Sequence, residues 1–170
     1  MKKYWLLFLL IGTAVMIVVM TKTGAPLKTP ATPKGILDLE FAYNTTKTTI
    51  VTTAWAGDNI SAAKTNTYLD FIFLLFYSLF LFFTSDKIAR ITKSKVGKFI
   101  ANGAIYAGIL DIVENAGMLI TLSGNTSDTT ALLTTTCSVI KWALALLAAA
   151  YCLAGFIYCI SKKKMGSLLA

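Results

Sequence analysis

The chain reads as an all-α integral membrane protein: a four-transmembrane-helix bundle with an external amphipathic helix between helices 1 and 2. Three observations carry that reading. Of 170 residues 56% are hydrophobic and 14% charged, and the mean hydropathy of +0.68 is too high for an ordinary water-soluble domain. Four apolar windows, 4–20, 68–83, 99–122 and 131–160, suit the roughly 20 helical residues that a bilayer requires. The cations, finally, gather in short clusters beside those windows.

The first span is placed at 4–21. Lys2 and Lys3 ahead of an apolar run also fit a cleaved signal peptide, but Val19 to Ala25 (VMTKTGA) holds no small-x-small cleavage site, which favours a retained helix. An external segment, 22–66, follows. Pro26, Pro30, Pro33 and Gly24 make its start an extended linker. From Gly35 to Trp55, apolar Ile36, Leu39, Tyr43, Ile50 and Ala54 recur near helical spacing, predicting an amphipathic helix on the outer surface, although the threonines at 45, 46, 48, 49, 52 and 53 favour strand. Gly57, Asp58 and Asn59 mark a turn, and Ser61 is the expected cap of the helix running into the second span, 67–85. A cytoplasmic loop at 86–98, a third span at 99–122, an external loop at 123–130, a fourth span at 131–160 and a cytoplasmic tail at 161–170 complete one membrane domain.

Net charge is +8, yet no basic, aromatic-studded groove accompanies it, so no nucleic-acid partner is expected. The cations instead orient the chain. Lys2 and Lys3, then Lys87, Arg90, Lys93, Lys95 and Lys98, then Lys162, Lys163 and Lys164 fall on one side of a four-span chain, and Lys22, Lys28, Lys34, Lys47 and Lys64 are spread over a long loop on the other, which weighs less. By the positive-inside rule the clustered side is cytoplasmic, predicting a multi-pass inner-membrane protein with both termini in the cytoplasm. The absence of histidine removes His-ligated zinc and His-ligated haem. Cys137, Cys152 and Cys159 form no CxxC and are expected to be small packing residues.

Asp111, Glu114 and Asn115 lie inside the third span, and Lys141 inside the fourth. Ionisable groups in hydrocarbon cost several kcal/mol unless paired, protonated or hydrated. Helical spacing puts Asp70, Tyr77 and Thr84 on one face of the second span. Ala104, Ala107, Gly108, Asp111, Asn115 and Met118 share one face of the third, and Cys137, Lys141, Ala145, Ala148, Cys152 and Gly155 one face of the fourth. Small residues in these stripes let helices approach closely, so the stripes are the expected seams. At about 1.5 Å rise per residue the polar groups meet in the outer half of the bundle, where Asp38 and Glu40 can cover the opening.

Asp70, Asp111 and Glu114 against Lys141 leave surplus negative charge, which proton uptake, a bound metal or organic cation, or water must offset. The expected ligand-binding set is Asp38, Glu40, Asp70, Tyr77, Asp111, Glu114, Asn115 and Lys141. Asp111 and Glu114 are the candidate catalytic acids, acting as a proton-sharing pair, and a metal, if bound, would fall to Asp70, Asp111 and Glu114. Phe71, Phe73, Phe76, Phe80, Phe82 and Phe83 would line the pocket or face lipid. The structural alternative is a buried ion pair that fixes helix register.

The favoured function is binding or modifying a membrane lipid or other amphipathic ligand. A small ion- or proton-coupled transport component is the first alternative, and an accessory or assembly protein with a membrane-protein partner, or a homo-oligomer, is the second. No reaction and no cofactor follow from the residues.

Thr32-Pro33-Lys34-Gly35-Ile36 with Glu40 and Ala42, Leu69-Asp70-Phe71 with Tyr77, and Asp111 with Glu114-Asn115 carry TPxGIxxxExA, LDxxF and DxxEN segments. Together, over 32–122, they resemble a family of small, uncharacterised bacterial four-helix membrane proteins. The resemblance gives weight to Glu40, Asp70, Asp111, Glu114 and Asn115 and implies no activity. By architecture alone the chain is also similar to four-helix sterol-isomerase-like proteins, in which acids in a lipid-accessible cavity bind or protonate an apolar ligand; no motif here matches them residue by residue.

Overall fold

The structure, a computed structural model, describes residues 4–163, so the topology signals at Lys2, Lys3 and Lys164 lie outside the described residues. Among those described it is helical throughout: α1 (Trp5–Thr23), a 3-10 turn (Ala25–Leu27), α2 (Ile36–Glu40), α3 (Thr45–Ala54), α4 (Asp58–Thr92), α5 (Lys95–Leu122) and α6 (Asp128–Ser161). Four of these, α1, α4, α5 and α6, are long and apolar enough to cross a membrane.

The helices outrun the predicted spans. Loop 86–98 shrinks to Lys93 and Ser94, because the charged residues mark where the apolar surface stops and not where backbone hydrogen bonding stops. Lys93 takes a left-handed conformation (φ 55°), and the Ser94 N–H donates to the Ala89 carbonyl at 2.9 Å, closing α4. The Ser94 hydroxyl then accepts from the Gly97 N–H at 3.0 Å, opening α5. At its other end α4 starts at Asp58, directly after Gly57 (φ 78°), so Ser61 is an interior residue and not the expected cap. The 35 residues of α4 span about 52 Å.

Packing centres on α4, which touches α1, α5 and α6, while α5 also packs along α6. The seams follow the small-residue stripes. Ala104, Ala107, Gly108, Asp111, Asn115 and Met118 are buried on α5, as are Cys137, Lys141, Ala148, Cys152 and Gly155 on α6; only Ala145 is partly open. A methyl group on Gly155 would run into the Ile88 side chain, so that crossing depends on hydrogen at Cα. Outward faces are apolar instead: Phe99, Tyr106 and Ile109 on α5, Leu146, Leu153 and Ile157 on α6. α1 buries only Leu9 and Met16 and packs along α4 alone among the long helices.

The 3-10 turn, α2 and α3 cap one end of the bundle. Gly35 to Trp55 is two helices and not the single expected one. Asn44, extended at φ −151°, caps a fresh start by accepting from the Lys47 N–H at 2.9 Å. The threonines fit a helix because they bond back to the preceding turn, Thr48 to the Asn44 carbonyl at 2.8 Å and Thr52 to that of Thr48 at 3.1 Å. Beneath lies a core of Leu27, Leu39, Val51, Trp55, Met118 and Leu122. The Trp55 indole N–H is shared between the Leu27 carbonyl (2.9 Å) and the Thr32 hydroxyl (3.1 Å), and Thr32 itself donates to Leu27 at 2.8 Å. Thr45 binds Asp128 through both its N–H (2.7 Å) and its hydroxyl (2.6 Å), fastening α3 to the start of α6.

Trp55 is fully buried, so its truncation should be among the costliest in the cap. Trp55→Ala is expected to lose about 3–5 kcal/mol of stability, read by denaturant titration in detergent, whereas Ile50→Ala on the exposed face of α3 should change little.

Candidate functional site

Four elements deliver polar side chains to one locus beneath the cap. α4 supplies Asn66, Asp70 and Tyr77 from one face, since steps of four and seven residues return to the same side of a helix. α5 supplies Asp111, Glu114 and Asn115, α6 supplies Lys141, and α2 supplies Glu40 from its last residue. Glu114 and Asn115 are 0% exposed, Asp111 2%, Lys141 and Glu40 5%, and Asp70 8%.

Lys141 is the hub. Its ammonium lies 2.9 Å from Asp111 Oδ1, 2.8 Å from both carboxylate oxygens of Glu114, and 3.7 Å from Glu40 Oε2. The Tyr77 hydroxyl donates to the second oxygen of Asp111 at 2.7 Å, leaving that carboxylate held on both sides. The Asn115 amide donates to Asp70 Oδ2 at 2.9 Å. α6 grips Glu40 three times: the Trp142 indole donates to its carboxylate at 3.0 Å, and Thr135 (3.0 Å) and Ser138 (3.3 Å) donate to its carbonyl.

Seven of the eight sequence-predicted site residues therefore meet. Asp38 does not: its carboxylate reaches back to the Lys34 N–H at 2.8 Å, stabilising the start of α2. Asp111 and Glu114 are not a proton-sharing pair in direct contact, because the Lys141 ammonium stands between them. Asp70, Asp111 and Glu114 do not form a metal ligand set, since no group of three His, Cys, Asp or Glu able to hold a metal gathers among the described residues. Of the phenylalanines only Phe73 lines the cavity; Phe76 packs against Phe8 of α1, and Phe80 and Phe82 pack into the core around Leu81.

Two members of the locus escaped the sequence reading. Asn66 has its Nδ2 tied to the Met20 carbonyl (3.1 Å) and the Thr23 hydroxyl (2.7 Å). Its position, four residues before Asp70, is the signal that could have found it. Trp142 had only its adjacency to Lys141.

A half-open cavity of about 390 Å³ adjoins the locus, walled by α1, α4, α5 and α6 and roofed by α2. Glu40, Asp70, Asp111 and Lys141 form its polar wall; Ile17, Met20, Ile36, Leu37 and Met118 make most of the remainder apolar. Exposed Lys28 and Lys34 stand at its edge. Glu114 lies behind this wall, so of the two candidate catalytic acids Asp111 alone reaches the cavity.

No family model, curated protein or solved structure matches the chain. The cavity pairs an apolar body with a concentrated polar wall, the composition of sites that hold one amphipathic small molecule; about 300–1,000 Å³ is usual for them.

Removing one partner of a buried charge set strands the others. Lys141→Met is expected to lose about 3–5 kcal/mol in the same denaturant titration. Lys141→Met combined with Glu114→Gln should recover part of that loss, because one stranded charge is then gone.

Proposed function

We propose that the chain is a multi-pass inner-membrane protein with both ends in the cytoplasm, whose capped half faces outward and binds or modifies a lipid or other amphipathic molecule. Insertion is supported by the inverted distribution of polarity: large apolar side chains cover the outside of α5 and α6 while carboxylates, an ammonium and amides fill the interior. Orientation is supported by cation density: Lys87, Arg90, Lys93, Lys95 and Lys98 crowd the short α4–α5 turn, whereas Lys22, Lys28, Lys34, Lys47 and Lys64 are spread thinly over the long segment at the capped end, which weighs less in the positive-inside rule. On that orientation α3, with Ile50 exposed, is the external amphipathic helix.

The observation that carries the ligand reading is the cavity, with a polar wall on one side and apolar side chains on the others. Away from the cap, Leu81, Ile100, Ala104, Ala148 and Cys152 pack the bundle shut. This favours a binding pocket over a route through the bundle.

Two measurements check the proposal. Asn125→Cys should react with a membrane-impermeant maleimide in intact spheroplasts and Lys93→Cys only after permeabilisation; the reverse pattern would refute the orientation. The detergent-purified protein should carry an amphiphile detectable by native mass spectrometry, lost in Ala145→Trp, which fills the cavity from α6. Equal lipid retention in the two proteins would count against the pocket.

A further inference from the structure

The polar wall holds more acceptors than the protein's own donors serve. Lys141 and Tyr77 occupy Asp111, and Lys141 occupies Glu114. Asp70 has one protein donor, Asn115, although a carboxylate accepts about four hydrogen bonds. Asn66 is 1% exposed, and its Oδ1 has no partner. The orientation of that amide follows from chemistry: the Met20 carbonyl can only accept, so Nδ2 must face it and Oδ1 is left as the unused acceptor. Asn66 and Asp70 are one helical turn apart on α4, and both line the cavity, as does Glu40.

A buried amide oxygen without a donor costs about 1–3 kcal/mol, and the cavity side of the wall is short of positive charge as well. A hydroxyl would supply the donor and leave the charge. A bare metal ion would supply the charge, but no group of three His, Cys, Asp or Glu side chains able to hold one gathers among the described residues. A primary ammonium supplies both, offering three N–H bonds to Asp70, Asn66 and Glu40. Phe73, Tyr77 and Trp142 line the same cavity and present rings that a cation tolerates well.

Two further features describe the rest of the molecule. Lys28 and Lys34, at the cavity edge, form no ion pair among the described residues and suit a phosphate. α1 and α6 both pack on α4 without packing appreciably on each other, so the cavity is unsealed between them. At about 390 Å³ it has room for a head and the start of a chain, and the α1–α6 gap opens it to the side.

We propose that the ligand is an amphiphile whose head joins a primary ammonium, seated on Asp70 and Asn66, to a phosphate held by Lys28 and Lys34, with its acyl chain passing out between α1 and α6. This deepens the lipid-binding reading above and rests on it. The test uses the full chain in detergent, with dihexanoyl phosphatidylethanolamine, its phosphatidylcholine and phosphatidylglycerol counterparts, and O-phosphoethanolamine as probes, binding being followed by native mass spectrometry. The ethanolamine lipid is expected to bind at least tenfold more tightly than either counterpart. Trimethylation removes all three N–H donors, and glycerol has no charge. Asp70→Asn should erase the preference while phosphatidylglycerol still binds, and Lys28→Ala with Lys34→Ala should weaken every phosphate-bearing probe. O-phosphoethanolamine binding as tightly as the lipid would overturn the acyl-chain assignment.

Equal affinity for the three lipids, with binding still abolished by Ala145→Trp, would overturn the ammonium proposal and leave the pocket standing. Failure of every lipid to bind, with Ala145→Trp indistinguishable from the parent, would sink both. Because the preference is read on the unaltered protein, a poorly folded Asp70→Asn cannot obscure the result.

Discussion

The bundle is organised around a single ammonium. Lys141 on α6 reaches Asp111 and Glu114 on α5 and approaches Glu40 in the cap, so one side chain relates three elements that are distant in sequence. Charges removed from water recover their hydration cost only with close geometry and further hydrogen bonds. Here those bonds come from Tyr77 to Asp111, Asn115 to Asp70 and Trp142 to Glu40. Because each donor belongs to a helix that must be in register to reach its acceptor, the network fixes α4, α5 and α6 relative to one another where apolar packing alone would permit sliding. The small residues of the seams then bring the backbones close enough for these short polar side chains to meet.

The arrangement also sorts the carboxylates by role. Glu114 pairs with Lys141 and does not line the cavity, while Asp111, held by Lys141 and Tyr77, does. Asp70 and Glu40 are bonded from behind or from the side and present themselves to the cavity. Counting charges along the chain groups all four together; only the folded arrangement sets Glu114 apart from the three that line the cavity. The cap belongs to the same design. Trp55, Leu27 and Thr32 lock the proline-rich linker, and the grip of α6 on Glu40 places that carboxylate over the cavity.

Much of the interior was legible because polar and small residues at helical spacing stand out within apolar windows: both stripes on α5 and α6 are buried, and Asp70, Tyr77 and Lys141 converge. The boundaries were less legible. Lysines between 86 and 98 report an expected bilayer edge, while helix ends depend on Lys93 adopting a left-handed turn and Ser94 supplying a cap, which composition does not announce. Asp38 and Glu40 look equivalent in sequence, yet two positions within a short helix turn one toward its own backbone and the other toward α6. Asn66 was hidden among the polar residues at 61–67, and Trp142 resembles any outward aromatic until Glu40 is seen beside it.

α1 is the least anchored wall of the cavity. It is joined to α4 along one side, with Asn66 bonding its last turn at Met20 and Thr23, and it packs appreciably on neither α5 nor α6. In a bilayer, the tilt of a helix held along a single edge follows hydrocarbon thickness more readily than that of helices braced on two sides. On the proposed membrane-embedded reading, a thicker or thinner bilayer would therefore change the width of the slot beside α1.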